Sequence, residues 1–276
     1  MMKSYKTLIL LLTLLIAPIS SRGQFVNELN KSIYDAKVKL VDEFFNRFNG
    51  KEIRKDIPKK NKDAQKKNLL MLLNLSNYQS KNDPKLLVAD SMMQSVIDNK
   101  VNLHYEDSLW FAKVKCQGTY KGKNTHFFLY LTVEERGKDM YKWVIQKAEG
   151  NLFELTPKVK NDRIMLMPDD HETRFTSLHR VTTDYQECVT NFANKNYRVD
   201  PTTVFYTMVQ TGLLKIDFIE NVKLTFLQVP GYTFSIQYFD RESNNSGWLI
   251  DNLWKMSDDE KIQYLKQIFT KQHSNL

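Results

Sequence analysis

The chain has 276 residues, 42% of them apolar and 12% aromatic, and its 40 basic and 32 acidic side chains give a formal charge of +8. That apolar content excludes a disordered chain, and the length suits one large domain or two small ones. With only nine glycines and two cysteines there is no P-loop, no glycine-rich dinucleotide turn, no Gly-x-Ser-x-Gly elbow and no Cys-x-x-Cys.

The first segment predicts export. Lys3 and Lys6 precede an apolar run from Leu8 to Ile16, and Ser21-Arg22-Gly23 places small residues at the −3 and −1 positions of a cleavage site. This is the three-part pattern of a secretory signal peptide over residues 1–23. The run is about half of the roughly 20 apolar residues that a spanning helix needs, so no membrane span is expected after cleavage. No cysteine lies at the predicted cut, which argues against an N-terminal lipoprotein. Loss of Lys3, Lys6 and Arg22 lowers the charge from +8 to +5.

Apolar residues then recur at helical spacing from Phe25 through Leu40, Phe44 and Phe48, and Asn49-Gly50 ends that helix. The stretch Lys51 to Lys67 carries a local net charge of +5. It reads as a solvated linker, and as a docking loop for an acidic partner if the protein is a scaffold of an envelope complex. A leucine-rich helix follows at Leu69 to Leu75. Asp83-Pro84 then caps a helix through Ile97 that turns Leu87, Met92, Met93, Val96 and Ile97 inward.

From Val101 the period drops to two. Strands are expected around Leu103 and Tyr105, from Leu109 to Cys116, from His126 to Glu134, and from Tyr141 to Ile145, with turns at Gly118 to Asn124 and Arg136 to Asp139. The second half repeats the scheme. Helices are predicted at Thr176 to Asn194 and Thr202 to Leu214, the latter capped by Asp200-Pro201. Strands follow at Phe218 to Val229, Tyr232 to Asp240 and Trp248 to Ile250. Ser257-Asp258-Asp259-Glu260 is a capping box for a last helix burying Ile262, Leu265, Ile268 and Phe269.

The expected class is α+β: N-terminal helices packed on a curved antiparallel meander over residues 24–150, and a helical segment, a second meander and a terminal helix over residues 151–276. A long amphipathic helix bearing Phe44-Phe45 and Phe48, further helices, and a meander ending in Trp143-Val144-Ile145 resemble the NTF2-like superfamily over residues 25–150. That resemblance implies a bent sheet wrapped around helices with a pocket at its open end, and a degenerate second copy from Thr176 to Trp254. The superfamily includes enzymes, binding modules and docking domains, so the fold does not choose among them.

The densest group of functional side chains is Asp169-Asp170-His171-Glu172. In a loop, His171 and Glu172 would serve as a general base and its orienting carboxylate; in a helix, the acids would merely cap it. His104 and His126 are expected on neighbouring strands, facing away from the apolar side. Glu106, Asp107, Glu134 and Glu135 gather at strand ends. No residue pattern calls for a metal or a cofactor. In an oxidising compartment Cys116 and Cys188 could form one disulfide or remain two buried thiols. Asn30, Asn74 and Asn244 stand in glycosylation patterns.

The function expected from these residues is that of an exported, non-catalytic module. It would bind a small apolar ligand or dock a protein through the concave side of its sheet, drawing on Trp143, Tyr130, Trp248 and Tyr238. The alternative is a periplasmic hydrolase or isomerase using His171 and Glu172. A nucleic-acid partner is not expected, because the lysine-rich run lacks the aromatic groups on which bases stack.

Overall fold

The computed structural model describes residues 41–53, 57, 63–78, 80, 83–138, 140–154, 165–166, 175–194 and 196–269. Helices α1 (Val41–Phe48), α2 (Ala64–Leu70) and α3 (Pro84–Asp98) come first. Strands β1 (Trp110–Tyr120), β2 (Lys123–Gly137) and β3 (Met140–Glu149) follow. Short helical turns with α4 (Arg180–Thr183) and α5 (Pro201–Gln210) lead to β4 (Leu214–Phe226), β5 (Tyr232–Phe239), β6 (Gly247–Lys255) and α6 (Asp258–Phe269). The signal segment and residues 25–40 of the expected first helix lie outside the described residues, as do 54–56 and 58–62 of the basic stretch.

All six strands join one curved antiparallel sheet in the order β3-β2-β1-β4-β5-β6. Each run of three strands therefore leads outward from its first member, and β1 and β4 meet at the centre. The β1–β2 hairpin turns on Lys121 (φ 47°) and Gly122 (φ 76°), two consecutive left-handed residues, as the tightest right-twisted hairpins require. Gly118 therefore stays inside β1 instead of opening the expected loop. Glycine is needed there because a Cβ would lie 2.4 Å from the Lys215 carbonyl oxygen of β4.

The chain divides into two units. One holds the residues up to Lys147 together with those from Lys215 onward, and the other is Ala148–Leu214. In the first, α1 buries Phe44, Phe45 and Phe48 on one face of the sheet, where Phe44 and Phe48 meet Phe226 and Phe234 at centroid distances of 5.5–6.3 Å. The opposite face is closed by α6, whose Tyr264, Leu265, Ile268 and Phe269 pack on Phe111, Tyr130 and Leu227. Two expected inward residues point outward. Leu87 sits about 200° round α3 from Ala89, which shares the buried face with Met92, Met93 and Val96. Ile262 yields its place on α6 to Lys261, whose stem is buried while its ammonium donates to the Val229 carbonyl at 2.7 Å and pairs with Asp258.

The strand expected around Leu103 and Tyr105 does not form. The Asn49 side chain takes both backbone groups of Leu103, at 2.8 and 2.9 Å, and Gln228 does the same for His104, so this segment meets its hydrogen-bonding needs without a ladder. At the far edge, Leu73 pairs with Ile250 of β6 in a parallel bridge. Beside it a bulge projects Asp251, which accepts from the side chains of Asn74, Asn77, Gln237 and Asn252 at 2.9–3.1 Å. Arg241 holds the other side of Asn74 at 2.9 Å. Asn74 is thus buried and fully used, which removes it as a glycan acceptor in the folded chain.

In the second unit the helix expected over Thr176 to Asn194 is replaced by short pieces: Phe175–Ser177, α4 and Gln186–Phe192. Cys188 interrupts the last of these with non-helical backbone. The N-cap of α5 forms as expected, with Asp200 accepting from Thr202 N and Thr203 Oγ1. Phe205 of α5 packs edge-on against Phe153 at 5.8 Å.

Candidate functional site

The aromatic core of the sheet unit runs out to the surface at one place. Phe226 stacks on Trp110 at 5.2 Å and 11°, and Trp110 is buried as the first residue of β1. Against it stand Trp143 of β3 at 4.8 Å and Tyr105 at 5.8 Å, both edge-on. These two outer rings are 46% and 40% exposed. Tyr105 is held from below by Phe45, whose ring is stacked on it at 3.8 Å, and from the side by Asp42, which accepts its phenol proton at 2.5 Å. The Trp110 indole N–H donates to the Tyr105 carbonyl, which fixes the loop that carries the tyrosine. The result is a pair of aromatic rings presented to solvent on a rigid base. β3 is also the outermost strand of the sheet on that side, and Met140 and Tyr141 are exposed along it.

Burial and the Asp42 carboxylate push the Tyr105 phenol far above the ordinary tyrosine value, so at neutral pH it is a fixed neutral donor. That chemistry suits contact with a partner and gives no nucleophile or base. Rigid, half-exposed Trp and Tyr side chains are the usual anchors of protein interfaces, because they bury large area at low entropic cost.

The other aromatics nominated from the sequence are not brought to this surface. Tyr130 is 4% exposed, under α6. Trp248 is buried and meets Tyr238 edge-on at 5.9 Å across β5 and β6. Of the four candidates, then, only Trp143 offers an exposed ring beside Trp110 and Tyr105. The concave-side reading misses this because α1 fills one face of the sheet with phenylalanine and α6 covers part of the other.

His171 and Glu172 lie outside the described residues. His104 lies in the loop before β1, 3.5 Å from Glu106, and His126 lies on β2, so the expected pair on neighbouring strands is not formed. His126 instead meets Glu220 of β4 at 2.9 Å, and the second oxygen of that carboxylate is 2.7 Å from Lys115 of β1. Sequence reasoning overlooked Glu220. Its only signal was an acid inside an otherwise β-prone run, Phe218 to Phe226. Glu134 pairs with Lys142, and Asp107 caps the Leu109 N–H, both ordinary roles for charged side chains at strand ends. Among the described residues no group of three His, Cys, Asp or Glu side chains could hold a metal ion, and no helix is long and apolar enough to cross a membrane.

Cys116 is buried in β1 of the sheet unit, and Cys188 is buried in the second unit; both are thiols in the structure. Burial, aided by the nearby Glu220 carboxylate, pushes the Cys116 thiol up to about 11. A thiol so far from ionising is a poor nucleophile and packs as a small hydrophobe. Compared with known proteins, the chain matches no family model, no curated protein and no solved structure.

Proposed function

We propose that this chain is an exported, non-catalytic docking module that engages a protein partner through the aromatic surface formed by Tyr105 and Trp143. The carrying observation is the indole of Trp143, half-exposed on an outer strand and braced edge-on by the buried Trp110. A pocket for a small apolar ligand is the weaker form of the reading, since the sheet face that would line it is occupied by Phe44, Phe45 and Phe48. Export rests on the signal-peptide pattern of residues 1–23. The outward order of the two meanders, joined at β1 and β4, supports a duplicated helix-then-meander ancestry, and helices laid on a curved antiparallel sheet are what the NTF2-like resemblance implies.

The test places a photo-crosslinking residue at Trp143, at Tyr105 and, as a control, at Leu87 on α3, in the full chain expressed in its own cells. A discrete protein adduct at the first two positions and none at the third is the expected result. Absence of an adduct at both aromatic positions sinks the docking reading. Mass determination of the mature N-terminus tests export independently, with a start near Gln24 expected.

A further inference from the structure

The aromatic surface carries a local charge opposite to that of the whole chain. The formal charge of the chain is +8, yet residues 101–112, which hold Tyr105 and Trp110, contain Glu106 and Asp107 and neither Lys nor Arg. Asp42 of α1 joins these acids, because one of its oxygens accepts the Tyr105 phenol proton. Its other oxygen has no hydrogen bond or ion pair among the described residues. Asp42 and Glu106 are both exposed. The one basic side chain in the segment, His104, stands 3.5 Å from Glu106. Neighbouring cations are engaged elsewhere: Arg47 of α1 is buried and meets Glu43 at 3.6 Å, and Lys142, next to Trp143 in β3, meets Glu134 at 3.3 Å. Phe45 covers one face of the Tyr105 ring, so the rest of that ring and the indole of Trp143 remain as exposed π surface.

We propose that this surface takes an arginine side chain from a basic segment of the docking partner, an inference that rests on the docking reading and names the partner's chemistry. The rings and the acids select the same group. Tyr and Trp rings attract a cation to their faces, and donation of the phenol proton to Asp42 adds electron density to the Tyr105 ring. The carboxylates supply the complementary charge. An acidic segment or a nucleic acid meets repulsion here, and a purely apolar one would desolvate Asp42 and Glu106 without giving them a partner. Arginine suits the site better than lysine. Its planar guanidinium is weakly hydrated, stacks on an aromatic face and carries N–H donors in the same plane for the unused Asp42 oxygen.

Fluorescence anisotropy of rhodamine-labelled hexa-arginine, titrated with the full chain, tests the proposal, with hexalysine as the comparison. The positive charge of the whole chain opposes both peptides, so binding reports the local site. Hexa-arginine should bind more tightly than hexalysine, and less tightly as salt rises. Trp143→Ala should weaken binding about two- to fivefold, the loss of one exposed cation–π contact. Asp42→Asn/Glu106→Gln leaves Tyr105 an acceptor and should weaken binding about three- to tenfold, as for two exposed ion pairs. The control Asp90→Asn/Glu242→Gln makes the same charge change on α3 and after β5 and should leave affinity nearly unchanged; circular dichroism verifies folding of all variants. Failure of hexa-arginine to bind overturns the inference, as does equal affinity for hexalysine or an equal effect of the two double variants. A crosslinked adduct at Trp143 obtained alongside any of those results leaves the docking reading standing, whereas absence of adducts at both aromatic positions removes both.

Discussion

Tyr105 donates its phenol proton to Asp42 while its ring lies flat on Phe45, so one side chain ties the loop before β1 to two successive turns of α1. Because the fold favours the protonated phenol, that contribution to stability is intact below the unfolded-state value near 10 and is lost as pH rises beyond it. Ultraviolet titration should show one tyrosine ionising only as the protein unfolds. In Tyr105→Phe that late component should disappear, with little loss of stacking.

The cap of α6 gives the opposite pH dependence. Ser257 donates to Glu260 from its backbone N–H at 2.7 Å and from its hydroxyl at 2.9 Å, and these bonds hold the Glu260 carboxyl below its ordinary value of 4.5. Stability from this pair is fully present above that value and is lost as pH falls through the lower folded-state value. Ser257→Ala should cost about 1 kcal/mol in urea unfolding at neutral pH. The difference between variant and wild type should narrow in acid.

Gly118→Ala should destabilise by about 1–3 kcal/mol, the range for forcing a carbon into packed space, since the contact met is backbone and cannot swing aside. Gly122→Ala is the informative partner. No atom lies within 4 Å of a Cβ there, so its cost is the left-handed backbone alone and should be smaller.

Replacement of Asp251 by Ala removes the acceptor that four side-chain amides share; Asn74 keeps the Asn77 oxygen and Asn77 keeps the backbone carbonyl of residue 251, so the loss falls on Gln237 and Asn252 and should cost about 1–3 kcal/mol, the range for an orphaned polar group. Asp251→Asn keeps one acceptor oxygen and should fall in between. Thermal unfolding of the two variants measures the order.

Thiol reactivity distinguishes the two states considered for the cysteines. With Cys116 buried and raised to about 11, its native-state alkylation at neutral pH should be slow, and denaturation without reductant should release two reactive thiols. A protein 2 Da lighter than the dithiol would show the bridge instead.

The elements that were legible in the sequence are those whose local chemistry is self-sufficient. Asp83-Pro84, Asp200-Pro201 and the Ser257 box each specify a helix start through one side-chain acceptor, and all three form. The alternation in β2 correctly sets His126 apart from Phe127, Leu129 and Leu131. Where a distant side chain decides, the pattern misleads. Asn49 and Gln228 convert the apparent strand around Leu103 and Tyr105 into a loop, and that loop is what presents Tyr105. Trp143 was legible as an aromatic on a return strand, but its exposure depends on Trp110 and on which sheet face the helices fill. Glu220 was invisible because its partners lie on β1 and β2, about a hundred residues earlier.

The central seam of the sheet sets how the chain must fold. Each hairpin can close locally, yet β1 and β4 pair across contacts such as Thr119 to Asp217, 98 positions apart, with the whole Ala148–Leu214 unit between them. Loop closure of that length is entropically costly before it is rewarded, so the joining of the halves is expected to limit the rate. Until it occurs, both first strands expose an unpaired edge. The acid-free lysines of β1 then discourage that edge from pairing with another copy, by the like-charge repulsion that protects natural sheet edges from association.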